Sequence, residues 1–183
     1  SIKDLKREGK SFYWASFFLP TKAKTNAGIL YSICRYFDDI ADKNNDDMSL
    51  FFEESIEKIK SDNENVVNIF LRKNKINTLI FSDLIKGLID DQKKLNIKNE
   101  NDLIIYSYHV AGTVGLMMAK IIGVKHKKAN RSAIDLGIAM QLTNIVRDVY
   151  EDAKMKRIYI PSELIPNITL TMLDGQAQLN SNQ

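Results

Sequence analysis

The spacing of apolar positions predicts helices along almost the whole chain. Apolar residues recur every three or four positions, which is the period of a helix that buries one face. Prolines occur only at Pro20, Pro161 and Pro166, so none interrupts a helix between the first two. Strand-type alternation and repeats of 20–50 residues are absent from the sequence. The predicted class is all-α, a bundle whose core can house a site, with helices over 11–19, 24–41, 49–60, 66–73, 77–95, 102–124 and 129–152.

Composition narrows the function classes without choosing one. The chain has 183 residues, enough for one domain, and a formal net charge of +3, too small to favour nucleic acid as a partner. The single Cys34 excludes an internal disulfide and fits a reducing cytoplasm. The longest apolar run, Val110 to Ile122, contains Lys120 and is too short to span a bilayer. We therefore expect a cytoplasmic protein, with peripheral membrane contact left open.

The main candidate functional residues lie in two acidic clusters about a hundred residues apart. Residues four apart share a helix face, so Asp38 projects with Asp42, and Asn144 projects with Asp148 and Asp152. Carboxylates on one face repel one another unless a cation lies among them. Two such faces turned toward each other form an all-oxygen site of the kind that holds Mg²⁺ together with a phosphate. The competing interpretations are solvated helix faces and a polar seam between helices.

Polar residues beside the two clusters leave the same choice open. Arg35 lies three residues before Asp38, where it forms either a local salt bridge or a phosphate-binding group. Gln141 extends the second stripe, and Arg147 adds a cation near its end. Burying such groups without partners costs several kcal/mol, so the apolar neighbours of this stripe favour a metal and diphosphate site over a bare seam.

Two glycines interrupt an otherwise apolar helix. Gly112 and Gly115 each cost a helix about 1 kcal/mol relative to alanine. Close helix packing explains them, and so does space for a bulky apolar ligand, so both interpretations stand.

Four blocks of sequence make the chain resemble the squalene/phytoene synthase family of head-to-head prenyl transferases. They are residues 11–13 with Leu19-Pro20, residues 31–42, residues 106–115, and residues 141–152 followed by 157–161. The glycine block, 106–115, is nearer to the phytoene synthase branch. The helices that follow the last block in the family have no counterpart after Pro161. We therefore expect a chain truncated at its C-terminus, with an incomplete helical domain over 1–163 and a weakly ordered tail over 164–183.

The resemblance implies an isoprenoid-synthase-like bundle with a central cavity that binds two prenyl diphosphates and Mg²⁺, for which Mn²⁺ can substitute. It implies that Asp38, Asp42, Asp148 and Asp152 are catalytic and bind the metal, with Asn144 as a further ligand. The residues implied to bind diphosphate are Lys10, Ser11, Tyr31, Arg35, Gln141, Asn144 and Arg147. Those implied to line the apolar pocket are Phe12, Phe37, Tyr108, Gly112, Gly115 and Leu116.

The reaction implied by the resemblance joins two molecules of geranylgeranyl diphosphate into phytoene through a cyclopropyl diphosphate intermediate. One alternative is a farnesyl diphosphate enzyme that makes squalene, presqualene diphosphate or dehydrosqualene, with NADPH needed only for squalene. Alternatives of another class are a non-catalytic relative acting in assembly and a purely structural helical domain. The resemblance implies no particular oligomeric state.

Overall fold

The computed structural model describes residues 14–43, 48–93, 95–167, 169–170 and 172–173. Within these residues the regular structure is entirely helical, so the predicted all-α class is confirmed. A 3₁₀ turn, Ser16–Phe18, precedes the helices, and a π-helical segment, Tyr108–Gly112, joins two of them. The helices are α1 (Thr21–Lys43), α2 (Ser49–Ser61), α3 (Val66–Lys73), α4 (Thr78–Gln92), α5 (Glu100–Ser107), α6 (Thr113–Ile121), α7 (Lys127–Arg147) and α8 (Val149–Lys154).

Polar caps and one glycine set several helix ends. The side-chain oxygens of Asn65, Asn77 and Asn99 accept backbone N–H groups in the first turns of α3, α4 and α5. Gly123, with φ of 86°, follows α6 and donates its N–H to the Lys120 carbonyl. Only glycine adopts that left-handed conformation without strain, so α6 ends there.

The main core lies between α1, α2, α3, α4 and α6. The Phe37 ring packs against Phe52 and Phe81, with centroids 6.2 and 5.5 Å apart. Burying each such ring stabilises the fold by roughly 1.5–3 kcal/mol. Aliphatic side chains complete this core, namely Leu30, Leu71, Ile85, Leu84, Leu88 and Met117.

Glycines bring α7 into backbone contact with the segment before it. A Cβ at Gly115 would lie 2.2 Å from the Ala133 carbonyl oxygen, and one at Gly137 would lie 2.4 Å from the Ala111 carbonyl oxygen. No larger residue fits either position without separating the helices. The two contacts therefore fix the position of α7 against α6 and the π-helical segment.

Two of the predicted helices are interrupted. The predicted helix over 102–124 contains the π-helical segment, where the Thr113 hydroxyl bonds back to the His109 carbonyl at 2.7 Å. The predicted helix over 129–152 bends at Asp148, whose φ and ψ are −104° and 14°. The N–H of Asp148 still bonds to the Asn144 carbonyl, and that of Asp152 to the Asp148 carbonyl, each at 2.8 Å. The four-residue spacing of the acidic stripe therefore survives the bend.

Among the other predicted helices, one ends earlier than expected and one lies partly outside the described residues. The predicted helix over 77–95 ends at Gln92, and residues 11–13 of the first predicted helix lie outside the described residues. None of the helices in the described part of the chain combines the length and apolar character needed to cross a bilayer.

Candidate active site

One face of α1 lines a cavity of about 600 Å³. Leu30, Cys34, Asp38 and Asp42 stand four residues apart along this face, with Tyr31 and Arg35 beside them. Leu30 and Cys34 form the apolar end of this helix face, and Asp38 and Asp42 form its acidic end. The two parts of the cavity wall are therefore continuous. Burial, helped by the nearby Asp38 carboxylate, raises the pKa of the Cys34 thiol to about 12, so this thiol is a neutral part of the wall.

The second acidic stripe lines the same cavity from α7 and α8. Gln141, Asn144, Asp148 and Asp152 all contribute to its surface, with Ile145 between them. The structure therefore brings together the two clusters that are about a hundred residues apart in sequence. It does so through the glycine contacts that hold α7 in place.

Arginines pair with the carboxylates of α1. The Arg35 guanidinium lies 2.9 Å from Asp38 and 2.8 Å from Asp39. Arg157, which follows α8, donates to Asp42 at 2.9 Å. These pairs hold both ends of the first cluster at the cavity wall.

Arg147 takes a different position from the one expected of a diphosphate ligand. Its guanidinium forms two hydrogen bonds to Asp148, at 2.6 and 2.5 Å, on the exposed side of the bend. It does not belong to the cavity lining. The hydrogen bonds from Arg147 hold the pKa of Asp148 below its usual value, so Asp148 is an ionised oxygen donor.

Two cavity carboxylates have raised pKa values. Burial raises the pKa of Asp38 to about 6, and the neighbouring charge of Asp42 adds to the effect. Burial likewise raises the pKa of Asp152 to about 6, reinforced by Asp148 and Asp91. Like charges crowded in a half-buried cavity disfavour ionisation. A cation among these groups would reverse that effect.

A buried carboxylate that sequence reasoning missed lies at the centre of the site. Asp91, on α4, lines the cavity and accepts hydrogen bonds from the hydroxyls of Tyr106 at 3.1 Å and Tyr159 at 2.5 Å. Its other oxygen lies 3.3 Å from Arg157. The sequence does contain a signal for Asp91, which lies three residues after Leu88 and continues the buried helix face formed by Leu84 and Leu88.

The apolar part of the cavity differs from the one predicted. Of the described residues predicted for it, Phe37, Tyr108, Gly112, Gly115 and Leu116 do not line the cavity. Aliphatic side chains form this part instead, namely Leu30, Leu84, Leu88, Val110, Val114, Met118, Ile122 and Ile145.

Local packing explains why these residues lie away from the cavity. Phe37 is one position from Asp38, so it points toward the core rather than along the acidic face. The Tyr108 hydroxyl donates to Asp83 at 3.2 Å, away from the cavity. Gly112 and Gly115 approach α7, which supports the packing interpretation of both glycines. Leu116 lies on the helix between Gly115 and the buried Met117, off the cavity side.

Three of the predicted site residues cannot be placed, two diphosphate ligands and one residue of the apolar pocket. Lys10, Ser11 and Phe12 lie outside the described residues. Of the other predicted diphosphate ligands, Tyr31, Arg35, Gln141 and Asn144 belong to the cavity lining, and Arg147 does not.

The donor set fits a hard divalent cation. The polar groups that face the cavity from α1, α7 and α8 include the oxygens of Asp38, Asp42, Asn144, Asp148 and Asp152, which are the ligand types that Mg²⁺ takes. Among the described residues, no three His, Cys, Asp or Glu side chains already stand in a metal-binding group. Three of these carboxylates instead contact guanidinium groups. A metal ion would have to replace those contacts.

Comparison with known sequences gives one consistent result. The sequence model of the family described as "Squalene/phytoene synthase" matches residues 5–178. A 15-cis-phytoene synthase of Enterobacter agglomerans is 33% identical over 184 residues, covering 88% of this chain and 61% of the relative. A 15-cis-phytoene synthase of Paracoccus sp. (strain N81106 / MBIC 01143) is 30% identical, covering 89% and 59%. The chain thus spans about three fifths of the length of these relatives.

Comparison with solved structures agrees. The crystal structure of a dehydrosqualene synthase in complex with ligand matches with a TM-score of 0.82 and 31% identity. The match covers 94% of this chain and 64% of the other.

Proposed function

The chain belongs to the squalene/phytoene synthase family, and we propose that its cavity serves the head-to-head condensation of two prenyl diphosphates. The substrate we propose is geranylgeranyl diphosphate and the product is phytoene. The observation that carries this proposal is the convergence of two acidic helix faces on one cavity that also has an extensive aliphatic wall. The similarity to two 15-cis-phytoene synthases supports the choice of product.

We propose that Asp38, Asp42, Asn144, Asp148 and Asp152 hold Mg²⁺, with Mn²⁺ as a substitute. When bound, the metal would supply positive charge to the diphosphate oxygens as that group departs. The donor set supports this assignment, because carboxylate and amide oxygens are hard ligands that suit these ions.

Arginine side chains would bind the diphosphates beside the metal ligands. Arg35 and Arg157 line the cavity next to Asp38 and Asp42. Once a metal replaces their contacts with these carboxylates, their guanidinium groups are available to donate charge-assisted hydrogen bonds to phosphate oxygens. Gln141 and Tyr31 add uncharged donors on opposite walls. Arg147, on the outside of the bend, would act on Asp148 rather than on the substrate.

The aliphatic wall would protect a reactive cation. In the proposed reaction the C1–O bond of one substrate breaks, and the electron pair leaves with the diphosphate. The double bond of the second substrate attacks the allylic cation, and loss of a proton closes a cyclopropane that still carries its diphosphate. Departure of that group, rearrangement and loss of a second proton give the linear hydrocarbon without any reductant. Water would quench either cation, so side chains such as Leu84, Val114 and Met118 have the role of excluding it.

One observation favours a second candidate. The matching solved structure is that of a dehydrosqualene synthase. A farnesyl diphosphate enzyme would use the same carboxylates and the same sequence of bond changes. Dehydrosqualene would form without NADPH, whereas squalene would need it.

A direct assay tests the proposal. The protein is incubated with Mg²⁺ and either geranylgeranyl or farnesyl diphosphate, and the extracted hydrocarbon is identified by mass spectrometry. We expect a C40 product, and Asp38→Asn should lower turnover by about a hundredfold or more because one metal ligand loses its charge. Asp135→Asn, on an exposed part of α7, is the matched control and should keep full turnover. Retained turnover in Asp38→Asn contradicts the metal site, and a C30 product selects the farnesyl candidate.

We also propose a cytoplasmic enzyme that contacts a membrane peripherally, because its product is a hydrocarbon. Trp14, Phe17 and Phe18 are 70%, 53% and 91% exposed, while Ala15 and Ser16 between them line the cavity. Exposed aromatic side chains at a cavity edge suit the interface of a lipid bilayer.

A further inference from the structure

Among the residues that the structure describes, Asp91 is the one carboxylate lining the cavity that belongs to neither acidic cluster. Only 10% of its side chain is exposed. An ionised carboxylate that deeply buried is costly unless every oxygen has a donor. Oδ1 of Asp91 accepts two tyrosine hydroxyls and Oδ2 forms an ion pair with Arg157, so the group is a fixed part of the site rather than an adjustable ligand.

The two oxygens of Asp91 have separate tasks. Oδ1 accepts the hydroxyls of Tyr106 and Tyr159, whose rings stack with centroids 5.0 Å apart. Oδ2 faces the Nη1 atom of Arg157 at 3.3 Å. The tyrosines therefore fix the carboxylate, and the carboxylate in turn presents a negative charge to the arginine.

Arg157 is shared between this fixed carboxylate and the first acidic cluster. The same Nη1 atom lies 2.9 Å from Asp42. The backbone beyond Arg157 is also held in place, since the N–H of Ser162 bonds to the Ile97 carbonyl and that of Glu163 to the Lys98 carbonyl, at 3.0 and 2.9 Å. A metal ion that took Asp42 would remove one of the two partners of Arg157 and leave the other.

We propose that Asp91 is a positioning residue, which keeps the Arg157 guanidinium at the cavity wall when metal ions occupy Asp42, so that Arg157 can bind the diphosphate. This inference rests on the proposed function, because it assigns a role in the diphosphate half of that site. It differs from a purely structural role in one respect. The charge of Asp91 should matter most when metal and diphosphate are both present.

Asp91→Asn isolates the charge. The asparagine carbonyl can still accept the two tyrosine hydroxyls, while its NH₂ group replaces the oxygen that faces Arg157. The matched control is Asp83→Asn, because Asp83 also lies on α4 and also accepts a tyrosine hydroxyl, that of Tyr108 at 3.2 Å, but does not line the cavity. Arg157→Gln and the double variant Asp91→Asn/Arg157→Gln complete a double-mutant cycle.

The measurement is the affinity for inorganic pyrophosphate by calorimetry, with and without Mg²⁺, alongside thermal unfolding of each metal-free variant. We expect Asp91→Asn and Arg157→Gln each to weaken binding with Mg²⁺ by about tenfold or more, the usual effect of losing one charge-assisted hydrogen bond. The double variant should bind no more weakly than either single one, since both remove the same interaction. Asp83→Asn should bind like the wild type.

The outcomes separate this inference from the proposed function. A wild type that binds pyrophosphate with Mg²⁺, together with an Asp91→Asn variant of unchanged affinity, refutes the positioning role alone, even if that variant unfolds at a lower temperature. Additive losses in the cycle refute it as well, because Asp91 and Arg157 would then act independently. A wild type that binds no pyrophosphate in Mg²⁺ refutes the proposed function and this inference together.

Discussion

The contact between α7 and the segment before it should govern both stability and activity. Gly115→Ala and Gly137→Ala each add one methyl group where only backbone atoms are adjacent. The new Cβ would lie 2.2 Å from the Ala133 carbonyl oxygen in the first case and 2.4 Å from the Ala111 carbonyl oxygen in the second, against the 3.0 Å below which Cβ atoms essentially never approach. Because a carbonyl cannot rotate away as a flexible side chain can, α7 must move by a large part of an ångström.

The cost follows from two opposing effects. Overpacking a close contact typically destabilises a protein by about 1–3 kcal/mol. Replacing glycine by alanine within a helix stabilises that helix by about 1 kcal/mol. With backbone as the obstacle we expect a net loss of about 1–2 kcal/mol in the free energy of unfolding. For a chain of this size each kcal/mol lowers the Tm by about 2–4 °C. Moving α7 also moves Asn144, two turns after Gly137, and a displacement near 1 Å costs activity about a hundredfold.

The matched control is Gly112→Ala. Its Cβ would meet side-chain atoms, Cδ2 of Tyr108 at 3.0 Å and Cγ2 of Ile134 at 3.2 Å, which can shift by a few tenths of an ångström. We expect this variant to stay within about 1 kcal/mol of the wild type, since the gain in helix propensity offsets the small shift. Urea unfolding and hydrocarbon formation are measured for all three variants. If Gly115→Ala and Gly137→Ala were as stable and active as Gly112→Ala, the proposed dependence of the site on this contact would be wrong.

Two further predictions concern metal and membrane. Burial raises the pKa of Asp38 and Asp152 in the folded state to about 6, above the value of about 3.9 in the unfolded chain. The stability that these groups contribute is therefore fully present below about pH 4 and is lost as the pH rises through 6. The increase in Tm on adding Mg²⁺ should therefore be larger at pH 7.5 than at pH 5, and an equal increase at both would count against the metal site. Phe18→Ser should weaken co-sedimentation of the protein with phosphatidylglycerol vesicles. The control variant Leu136→Ser, at a position 62% exposed on α7, should sediment like the wild type. Equal binding by both variants would exclude the exposed aromatic residues at the cavity edge as the membrane contact.

The sequence predicts the acidic half of the site better than the apolar half. The Asp38 and Asp148 clusters show a four-residue period that places them on helix faces, and no packing detail is needed to see it. The apolar wall has no such signature, because any helix face of leucine and valine can pack either against the core or against a cavity. Phe37 illustrates this, since one position along the helix separates the core side from the cavity side.

The bend in the second acidic helix and the role of Asp91 could not be predicted from the sequence, for different reasons. No glycine or proline near Asp148 indicates the bend there, and the backbone hydrogen bonds on either side of it are kept. Asp91 was visible as a carboxylate continuing a buried stripe, but its partners Tyr106, Tyr159 and Arg157 come from segments 15 to 68 residues away. Such a network becomes evident only when the fold brings its members together.

Charge balance separates the enzymatic interpretation from a structural polar seam. The described residues that line the cavity include five carboxylates, Asp38, Asp42, Asp91, Asp148 and Asp152, and only two guanidinium groups, those of Arg35 and Arg157. A seam that served only to join helices would be neutralised by its own pairs, since buried charge without a partner destabilises the fold. Here one guanidinium is shared between Asp42 and Asp91. Burial raises the pKa values of Asp38 and Asp152, and repulsion from the neighbouring carboxylates adds to the effect. Under the proposed function, divalent cations would supply the missing positive charge. A diphosphate adds further negative charge, so the cavity should accept it only together with those cations.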